Sequence, residues 1–541
     1  MEDAEVVIAG GGPAGCAVAA ALAELGLSVL LLDAGVDRHR QLAGELLHPA
    51  GIRDLRALGF GDVVDGWKAQ PVRGFAVRFH APARTLVLPY GQGVTGLSLE
   101  HATLTEPLLE SVSRRRGVTA RARARVTAVE HNDGRGVRLR YTHAGTEHTV
   151  RARLLVAADG RASPVRRMLG IAEHHTRLST MLGVTVDSAC LTHPGHGHQF
   201  VGGAVHALAY AIQPGLARVM VDLPLGSTIQ TLRDRPELLL ALPSSLRHAV
   251  WRALEQRPAM RMASNDDWLA ETVCMGSAVL VGDAAACCHP LTASGMASCF
   301  HDARALQESL HRHPGLIPRA LEHYAHARRP AQRTRVALAS ALYSAFAGQD
   351  EGMRALRMGL LHYWEHSPRG ARASMALLSS EEPRMRVMAR EYLRVVAHAF
   401  AAMLSPSGPG GSLRSAAPLL RSAGPPLRGT VASAVEQVGS WLHRRVRRPV
   451  YTLAGPLGLQ PGRGLPHPTG SPGRASPPGA TAARTAPRRP QQRKDGRHPV
   501  VPGRDVRPVA GPLEPQLAPH GEADGQRRQG RGPPGPARHR R

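Results

Sequence analysis

Residues 5–33 read EVVIAGGGPAGCAVAAALAELGLSVLLLD, and this stretch decides the fold. Val6-Val7-Ile8 is a short β-branched run of the kind that forms a buried parallel strand. The chain then turns through Gly10-Gly11-Gly12-Pro13-Ala14-Gly15 and enters an Ala/Leu-rich helix ending near Gly26. A second apolar run, residues 29–32, ends on Asp33. Strand, tight turn, helix and second strand in this order are the context in which GxGxxG marks a dinucleotide site. Gly10 permits the turn, Gly12 lets a pyrophosphate approach the backbone, and Gly15 lets the helix pack close to the strand. Pro13 and Ala14 open the helix, whose free N–H groups and positive dipole end face the phosphates. Asp33 stands 18 residues after Gly15, where a carboxylate accepts from the adenosine ribose hydroxyls.

The same spelling recurs in Gly91-Gln92-Gly93-Val94-Thr95-Gly96. No second βαβ pattern surrounds it, so it is expected to be a loop.

The chain has 541 residues, enough for two or three domains. Its formal net charge of +26 invites a nucleic-acid reading, but the charge is unevenly placed. From Ser405 onward there are 23 Arg and Lys against 6 Asp and Glu, so the tail alone holds most of the excess. Lys68 and Lys494 are the only lysines, and the chain is rich in Ala, Gly and Pro. That pattern resembles a coding bias more than a phosphate-binding surface. No aromatic residue follows Tyr451, so the tail offers no platform for stacking bases, and no nucleic-acid partner is expected. The six cysteines show no CxxC spacing, and the N-terminus lacks a signal-like basic and apolar region. Free thiols in a reducing cytoplasm are expected. No run of about 18 uncharged apolar residues occurs, so no transmembrane span is expected.

Beyond the opening, a short helix is expected over residues 52–58, then strands over 75–79 and 85–90, and a helix over 97–112. Residues 126–130 and 136–141 flank His131-Asn132-Asp133-Gly134, a hairpin signal. A strand over 150–158 ends at Asp159-Gly160, and another over 277–281 ends at Gly282-Asp283. Between them, MLGVTVDS, VHALAYAIQ and LARVMVDLP read as strands of an antiparallel sheet over a substrate cavity. Helical patterns follow over 229–256 and almost throughout 303–404. His193, His196 and His198 cluster in a Gly-rich stretch that reads as a solvated loop, not a metal site. Past Ser405, Pro, Gly, Arg and Ser dominate; a helix over 431–446 is the one periodic segment. From 456 the chain reads as disordered, or as an extension without selected structure.

Two later motifs separate FAD from NAD. Ala157-Ala158-Asp159-Gly160-Arg161-Ala162-Ser163-Pro164-Val165-Arg166 resembles the DG motif of flavoprotein monooxygenases, and VGDAAACCHPLTASGM, residues 281–296, resembles their GD motif. The turn at Gly282 aims the Asp283 carboxylate at ribityl hydroxyls. Pro290 to Gly295 bends the backbone beside the isoalloxazine. Amides at Gly295 and Met296 begin a helix suited to the negative charge of reduced flavin. A narrower resemblance follows: HPLTASGM is similar to the HPLTGGGM of squalene monooxygenases (squalene epoxidases), and GELLHPAG, residues 44–51, to their GELLQPGG. ALYSAFAGQDEGMRALRMGLLHYW also resembles that family's C-terminal region, so the likeness covers most of residues 4–400.

The resemblance implies an α/β fold: a Rossmann-like FAD-binding domain interleaved with an antiparallel-sheet substrate domain, then C-terminal helices and a disordered tail. The flavin part is expected over 1–72, 96–177 and 265–335, the sheet over 73–95 and 178–264, the helical region over 336–404, and the tail over 405–541. It implies a monooxygenase that inserts one oxygen from O2 through a flavin C4a-hydroperoxide, epoxidising squalene or a related isoprenoid. NAD(P)H is the implied electron donor, directly or through a reductase. There are departures. His48 replaces a Gln and Phe75 a Tyr that form a hydrogen-bonded pair near the flavin, so that pair is expected to be absent. Ala293-Ser294 replace two glycines, and Glu100-His101-Ala102 fall where the family has a flavin-contacting Arg.

These departures leave an aromatic or polyketide hydroxylase of the same class as the alternative. An alternative of another class is a non-catalytic flavin-fold protein that binds a membrane or a partner. A flavin halogenase is disfavoured, because its WxWxIP pattern and catalytic Lys are missing. A lipophilic substrate also suggests peripheral membrane binding. Apolar stretches at 339–346, 358–364 and 392–403 would insert, with Tyr363 and Trp364 at the headgroups. The competing expectation is a helical bundle that covers the flavin domain.

Overall fold

In the computed structural model, which describes residues 2–35, 42–91, 93–256 and 260–404, the strand Glu2–Ala9 lies inside an eight-stranded sheet. It pairs in parallel with Val29–Asp33 on one side and Thr146–Ala157 on the other. Val118–Ala122 and Ala278–Leu280 extend the parallel run at its two ends. Val6, Val7, Ile8 and residues 29–32 are all buried, as a strand covered on both faces requires. Helix α1, Pro13–Glu24, covers one face, and its Ala-rich sequence lets it approach closely. The expected hairpin forms: Ala124–Asn132 and Val137–His143 pair antiparallel beside Thr146–Ala157.

A second eight-stranded sheet runs in the order Ala286–Cys287, Met260–Ala270, Glu173–Asp187, Leu216–Leu223, His206–Gln213, Gly197–Val201, Gly74–Phe79, Arg84–Pro89. All its pairings are antiparallel except that between Gly197–Val201 and Gly74–Phe79. Gly197–Val201 and Met260–Ala270 were not legible as strands. The first hides in the His/Gly-rich stretch, and the second carries Asn265, Asp266 and Asp267, which disfavour strand by propensity. Both are held by partners distant in sequence.

Other boundaries differ from expectation for local reasons. The helix expected from residue 97 begins at His101, because Gly96–Ser98 is claimed as a strand between Leu46–Leu47 and Gln70–Val72. The helix expected over 229–256 breaks at Pro236 and Pro243 into Ile229–Asp234, a short 3₁₀ turn and Ser244–Glu255. A proline supplies no N–H to continue the ladder. The short helix α2, Pro49–Leu55, starts three residues earlier than expected, with Pro49 in its first turn.

Five helices complete the described chain: α3 Gly295–Arg312, α4 Ile317–Ala347, α5 Glu351–His366, α6 Pro368–Leu378 and α7 Met385–Leu404. None is long and apolar enough to cross a membrane. Of the stretches expected to insert into a membrane, much is packed inward, while Leu393 of α7 is 52% exposed. Phe346, Leu360, Leu361, Tyr363 and Trp364 are buried in one core with Phe75, Val77 and Phe79 of the second sheet. Tyr363 is 2% and Trp364 9% exposed, so neither can sit at headgroups. Most large apolar side chains of α4–α6, with Met385, Met388, Val395 and Ala399 of α7, turn inward onto the sheet and each other, as in a bundle. Residues 405–541, with the helix expected over 431–446 and the tail expected to be disordered, lie outside the described residues.

Candidate active site

The glycine-rich turn is shaped by close approaches. Gly10 has φ +109°, and a Cβ there would stand 2.3 Å from the Ala158 carbonyl oxygen. A Cβ on Gly15 would stand 1.8 Å from the Gly10 oxygen, so the helix can sit this near the strand only with glycine. Gly12, the N-cap of α1, faces open space: nothing lies within 4 Å of an added Cβ. Asp33 ends its strand, buried beside Gly11, whose added Cβ would meet the Asp33 side chain at 2.8 Å.

The DG segment closes on itself. Asp159 Oδ1 accepts from Ser163 Oγ at 2.5 Å, and Oδ2 accepts from the Val165 amide at 2.9 Å. Burial raises the Asp159 pKa, and those bonds oppose the rise. Gly160, between them, has φ +78°. Arg166, 3% exposed, donates through Nη1 to the Ala284 carbonyl at 2.9 Å and pairs with Glu173. Its guanidinium lies 5.7 Å from the Trp268 ring centre, and Trp268 Nε1 donates to the Asp283 carbonyl at 3.0 Å. Arg166 and Trp268 therefore fasten the DG and GD segments together.

At the GD turn, a Cβ on Gly282 would lie 3.0 Å from Ala14 Cβ, so the turn sits on the first turn of α1. The Gly282 amide donates to Asp302 Oδ2 at 2.8 Å, and Asp302 Oδ1 accepts from Arg328 Nε at 2.7 Å. Asp283 is different. Its carboxylate accepts no hydrogen bond from any described residue, and burial raises its pKa against the nearby Arg335 and Arg161. Arg335 reaches in from α4, donating through Nη2 to the Ala286 carbonyl at 2.7 Å.

The segment from Pro290 to Met296 bends as expected. Pro290–Thr292 is a 3₁₀ turn, Ala293 follows with φ +50°, and α3 starts at Gly295. The left-handed conformation of Ala293 is one that favours glycine, the residue it replaces in the family pattern. His289 anchors the turn. Its Nδ1 accepts from the Leu291 amide at 3.2 Å, which leaves Nε2 to carry the proton and donate to Asp222 Oδ1 at 3.1 Å. Asn265 Nδ2 donates to the same oxygen at 2.9 Å. Ser179, His289 and Asp222 thus touch, but through one ring nitrogen and wholly buried, so they are a structural tie and not a nucleophilic triad. On the opposite flank a Cβ on Gly44 would lie 3.2 Å from the end of Met296, and Glu45 makes a buried bidentate pair with Arg218 at 2.8 and 2.9 Å.

Residue 48 has a tyrosine partner, though not at residue 75. Phe75 indeed carries no hydroxyl, but Tyr90, just past the neighbouring strand Arg84–Pro89, supplies one. Its Oη lies 2.6 Å from His48 Nδ1. His48 Nε2 lies 2.8 Å from the Thr292 carbonyl, which can only accept. The imidazole therefore carries its proton on Nε2, and Nδ1 accepts from Tyr90. Burial lowers the His48 pKa to about 4, so the ring is neutral. Phe75 packs against both rings, 6.1 Å from His48 and 6.4 Å from Tyr90.

Beside this cluster opens an apolar cavity with about 930 Å³ of unfilled space, its mouth included. Phe75, Leu88 and Gln199 of the sheet and Leu291 of the turn form one wall. Residues of α4–α7, among them Phe346 and Leu360, form the other. Gln199 donates to the Leu291 carbonyl at 2.8 Å, and its Oε1 lies 2.5 Å from His206 Nε2.

Comparison with known proteins decides the family. A model of the FAD binding domain matches residues 3–339. Squalene epoxidase erg1 of Aspergillus fumigatus is 30% identical over 397 residues, 67% of this chain and 79% of that protein. Squalene monooxygenase of Mus musculus is 26% identical, over 74% of this chain and 72% of that protein. The chain belongs to the FAD binding domain family, among the squalene epoxidase-like monooxygenases. Solved structures agree in fold. The p-nitrophenol 4-monooxygenase PnpA of Pseudomonas putida superposes with TM-score 0.60 at 20% identity, over 70% of this chain and 98% of that chain. PqsL of Pseudomonas aeruginosa does so with TM-score 0.56 at 23% identity, over 64% of this chain and 98% of that chain.

The residues present fit FAD. Gly12 leaves a cradle open where a pyrophosphate would lie, and Asp283 holds a carboxylate without a hydrogen-bond donor among the described residues where ribityl hydroxyls would donate. Among the described residues no group of His, Cys, Asp or Glu side chains is placed to hold a metal ion. His193, His196 and His198 bond within their own segment: the His193 amide donates to His198 Nε2 at 3.1 Å. The residues of the candidate site that sequence reasoning missed are Tyr90, Gln199, Asp302 and Arg335. The –PY– step after an alternating strand is too common to signal Tyr90, and the other three act only across long sequence separations.

Proposed function

We propose that this monooxygenase epoxidises squalene or a related isoprenoid, drawing electrons from NAD(P)H either directly or through a reductase. Bound FAD, once reduced, activates dioxygen and supplies the oxygen atom that is transferred. The protein's part is binding, orientation and exclusion of water. Asp33 would accept from the ribose and Asp283 from the ribityl chain, while the amides of Gly12, Pro13's successor Ala14 and Gly15 lie at the positive end of α1 near the pyrophosphate. Gly295 and Met296, at the start of α3, would meet the pyrimidine edge of the flavin. Asp159, Gly160 and Arg166 would act one step back, holding the GD segment in place through the Ala284 carbonyl.

The observation that carries the substrate reading is the cavity. Its lining is overwhelmingly hydrocarbon, it adjoins the His48–Tyr90 pair and the Pro290–Thr292 turn, and four helices roof it. Such a space suits a long apolar alkene and keeps bulk water from the reacting atoms. The case for an aromatic hydroxylase drew on a missing polar pair beside residue 48, and Tyr90 removes that argument. All six cysteines are free, in keeping with a cytoplasmic setting.

The test is incubation of purified holoprotein with NADPH, a flavin reductase, oxygen and a panel of squalene, linear isoprenoids and phenols, with products read by mass spectrometry. An isoprenoid product heavier by one oxygen supports the proposal. Oxygenation of phenols alone overturns it.

A further inference from the structure

A buried polar stripe runs along helix α4. Tyr324, Arg328, Gln332 and Arg335 recur at three- and four-residue steps, so they share one helical face. All four bear on the segment that carries the GD turn. Tyr324 Oη donates to the Leu280 carbonyl at 3.1 Å. Arg328 and Gln332 donate to Asp302 Oδ1 at 2.7 and 3.3 Å, and Asp302 in turn holds the Gly282 amide. Arg335 donates to the Ala286 carbonyl at 2.7 Å, and its Nη1 lies 3.5 Å from Cys288 Sγ. The charge of Arg328 is met by Asp302. That of Arg335 is not met by a bond: among the described residues no carboxylate accepts from it, and its Nε is buried without a partner. In the same segment the half-buried Asp283 carboxylate accepts no hydrogen bond from any described residue. Buried charges of this kind are costly unless something compensates them.

We propose that Arg335 is a positioning residue for FAD: it balances the Asp283 carboxylate through space, keeping it ionised while leaving its oxygens open to the ribityl hydroxyls. The inference rests on Asp283 meeting the ribityl chain, as proposed above. A direct salt bridge would also compensate the charge, but it would occupy acceptor sites that the hydroxyls need. Coulomb attraction needs no shared hydrogen and is weakly screened in a buried site. The bonds to Ala286 and Cys288 fix the guanidinium on the same segment as the carboxylate. Burial raises the Asp283 pKa; Arg335, then Arg161, oppose that rise, and Asp302 adds to it. The thiols of Cys287, Cys288 and Cys299 also act on this carboxylate's surroundings, but burial pushes each of them up, so they stay neutral. Asp267, on which Arg335 acts as well, already accepts from the His289 amide at 2.6 Å.

The experiment strips FAD from the full chain and titrates it back, reading the dissociation constant by flavin fluorescence between about pH 5 and 8. Arg335→Gln keeps a donor for the Ala286 carbonyl and drops the charge. Its FAD affinity is expected to fall about tenfold towards the acid end, with the fall centred about one pH unit above that of the unaltered chain. Arg335→Lys, which keeps the charge, should restore the original profile. In an Asp283→Asn background, Arg335→Gln should no longer change the pH dependence. An equal loss at every pH marks Arg335 as packing alone and overturns the inference, as does an unchanged profile or a Lys variant that behaves like Gln. If Asp283→Asn binds FAD as the unaltered chain does, the ribityl reading falls and the inference with it. If Asp283→Asn weakens FAD while Arg335→Gln leaves the profile unmoved, only the inference falls. Should Arg335→Gln not fold, the infrared carboxyl bands of the FAD-free chain and its Asp283→Asn variant are compared at about pH 7. An ionised Asp283 supports the inference, and a protonated one overturns it.

Discussion

The Tyr90 hydroxyl lies 2.6 Å from His48 Nδ1, across 42 residues of sequence, and the two side chains share one proton arrangement. With the Thr292 carbonyl 2.8 Å from Nε2, the histidine is locked as the neutral Nε2–H tautomer. The pair links the GELLHPAG segment to the turn that precedes α3.

Because the pair is buried, breaking one side leaves a stranded acceptor. Tyr90→Phe is expected to cost roughly 1–3 kcal/mol of stability and to lower product formed per NADPH consumed, with flavin retained. His48→Gln keeps an acceptor for Tyr90 and a donor for the carbonyl, so it should retain most turnover. Coupling measured by oxygen uptake against product separates the two variants.

The Asp283 carboxylate accepts no hydrogen bond from any described residue, so removing it breaks none of those bonds and deprives the flavin of an acceptor. Asp283→Ala is expected to lose most bound FAD, each such bond being worth roughly 1.5–3 kcal/mol. Gly91→Ala, in the other GxGxxG spelling, should leave flavin content unchanged. Flavin absorbance per mole of purified protein reads both.

Glu45 and Arg218 are 1% and 2% exposed and bonded bidentately. Cutting one partner strands a buried charge. Glu45→Gln is expected to destabilise by about 3–5 kcal/mol, while a paired Glu45→Leu, Arg218→Met change costs less. Denaturant midpoints of the three proteins give the comparison.

His48, His198 and His206 are each buried, and burial lowers each pKa to about 4 from 6.5. In the unfolded chain they take up protons first. Their neutral burial therefore contributes fully above pH 6.5 and is lost as pH falls towards 4. Unfolding free energy should drop across that window with a slope of up to about 1.4 kcal/mol per pH unit for each histidine. A flat profile between pH 6.5 and 4 would show that these rings are charged or exposed.

Local pattern carried the first half of this protein. A strand, a glycine turn and an Ala-rich helix leave few alternatives, because Gly10 and Gly15 stand where a Cβ would strike backbone at 2.3 and 1.8 Å. The alternating runs at 181–187, 206–213 and 216–223 likewise carried their own strand signal. So did the order of the GxGxxG, DG and GD segments, which names the cofactor. What the sequence could not hold is whatever depends on partners far along the chain. Gly197–Val201 becomes a strand only beside Gly74–Phe79, and residues 96–98 become one only between two other edges. The apolar residues of α4–α7 read in sequence as lipid-facing or core-facing; packing on the sheet buries Phe346, Leu360, Leu361, Tyr363 and Trp364. Tyr90 took the place of a hydroxyl that Phe75 lacks because strand pairing sets Phe75 opposite Leu88, two residues from Tyr90. Composition and spacing specify which residues are available, whereas their meeting depends on tertiary packing, whose energy is shared among segments that no sequence window contains.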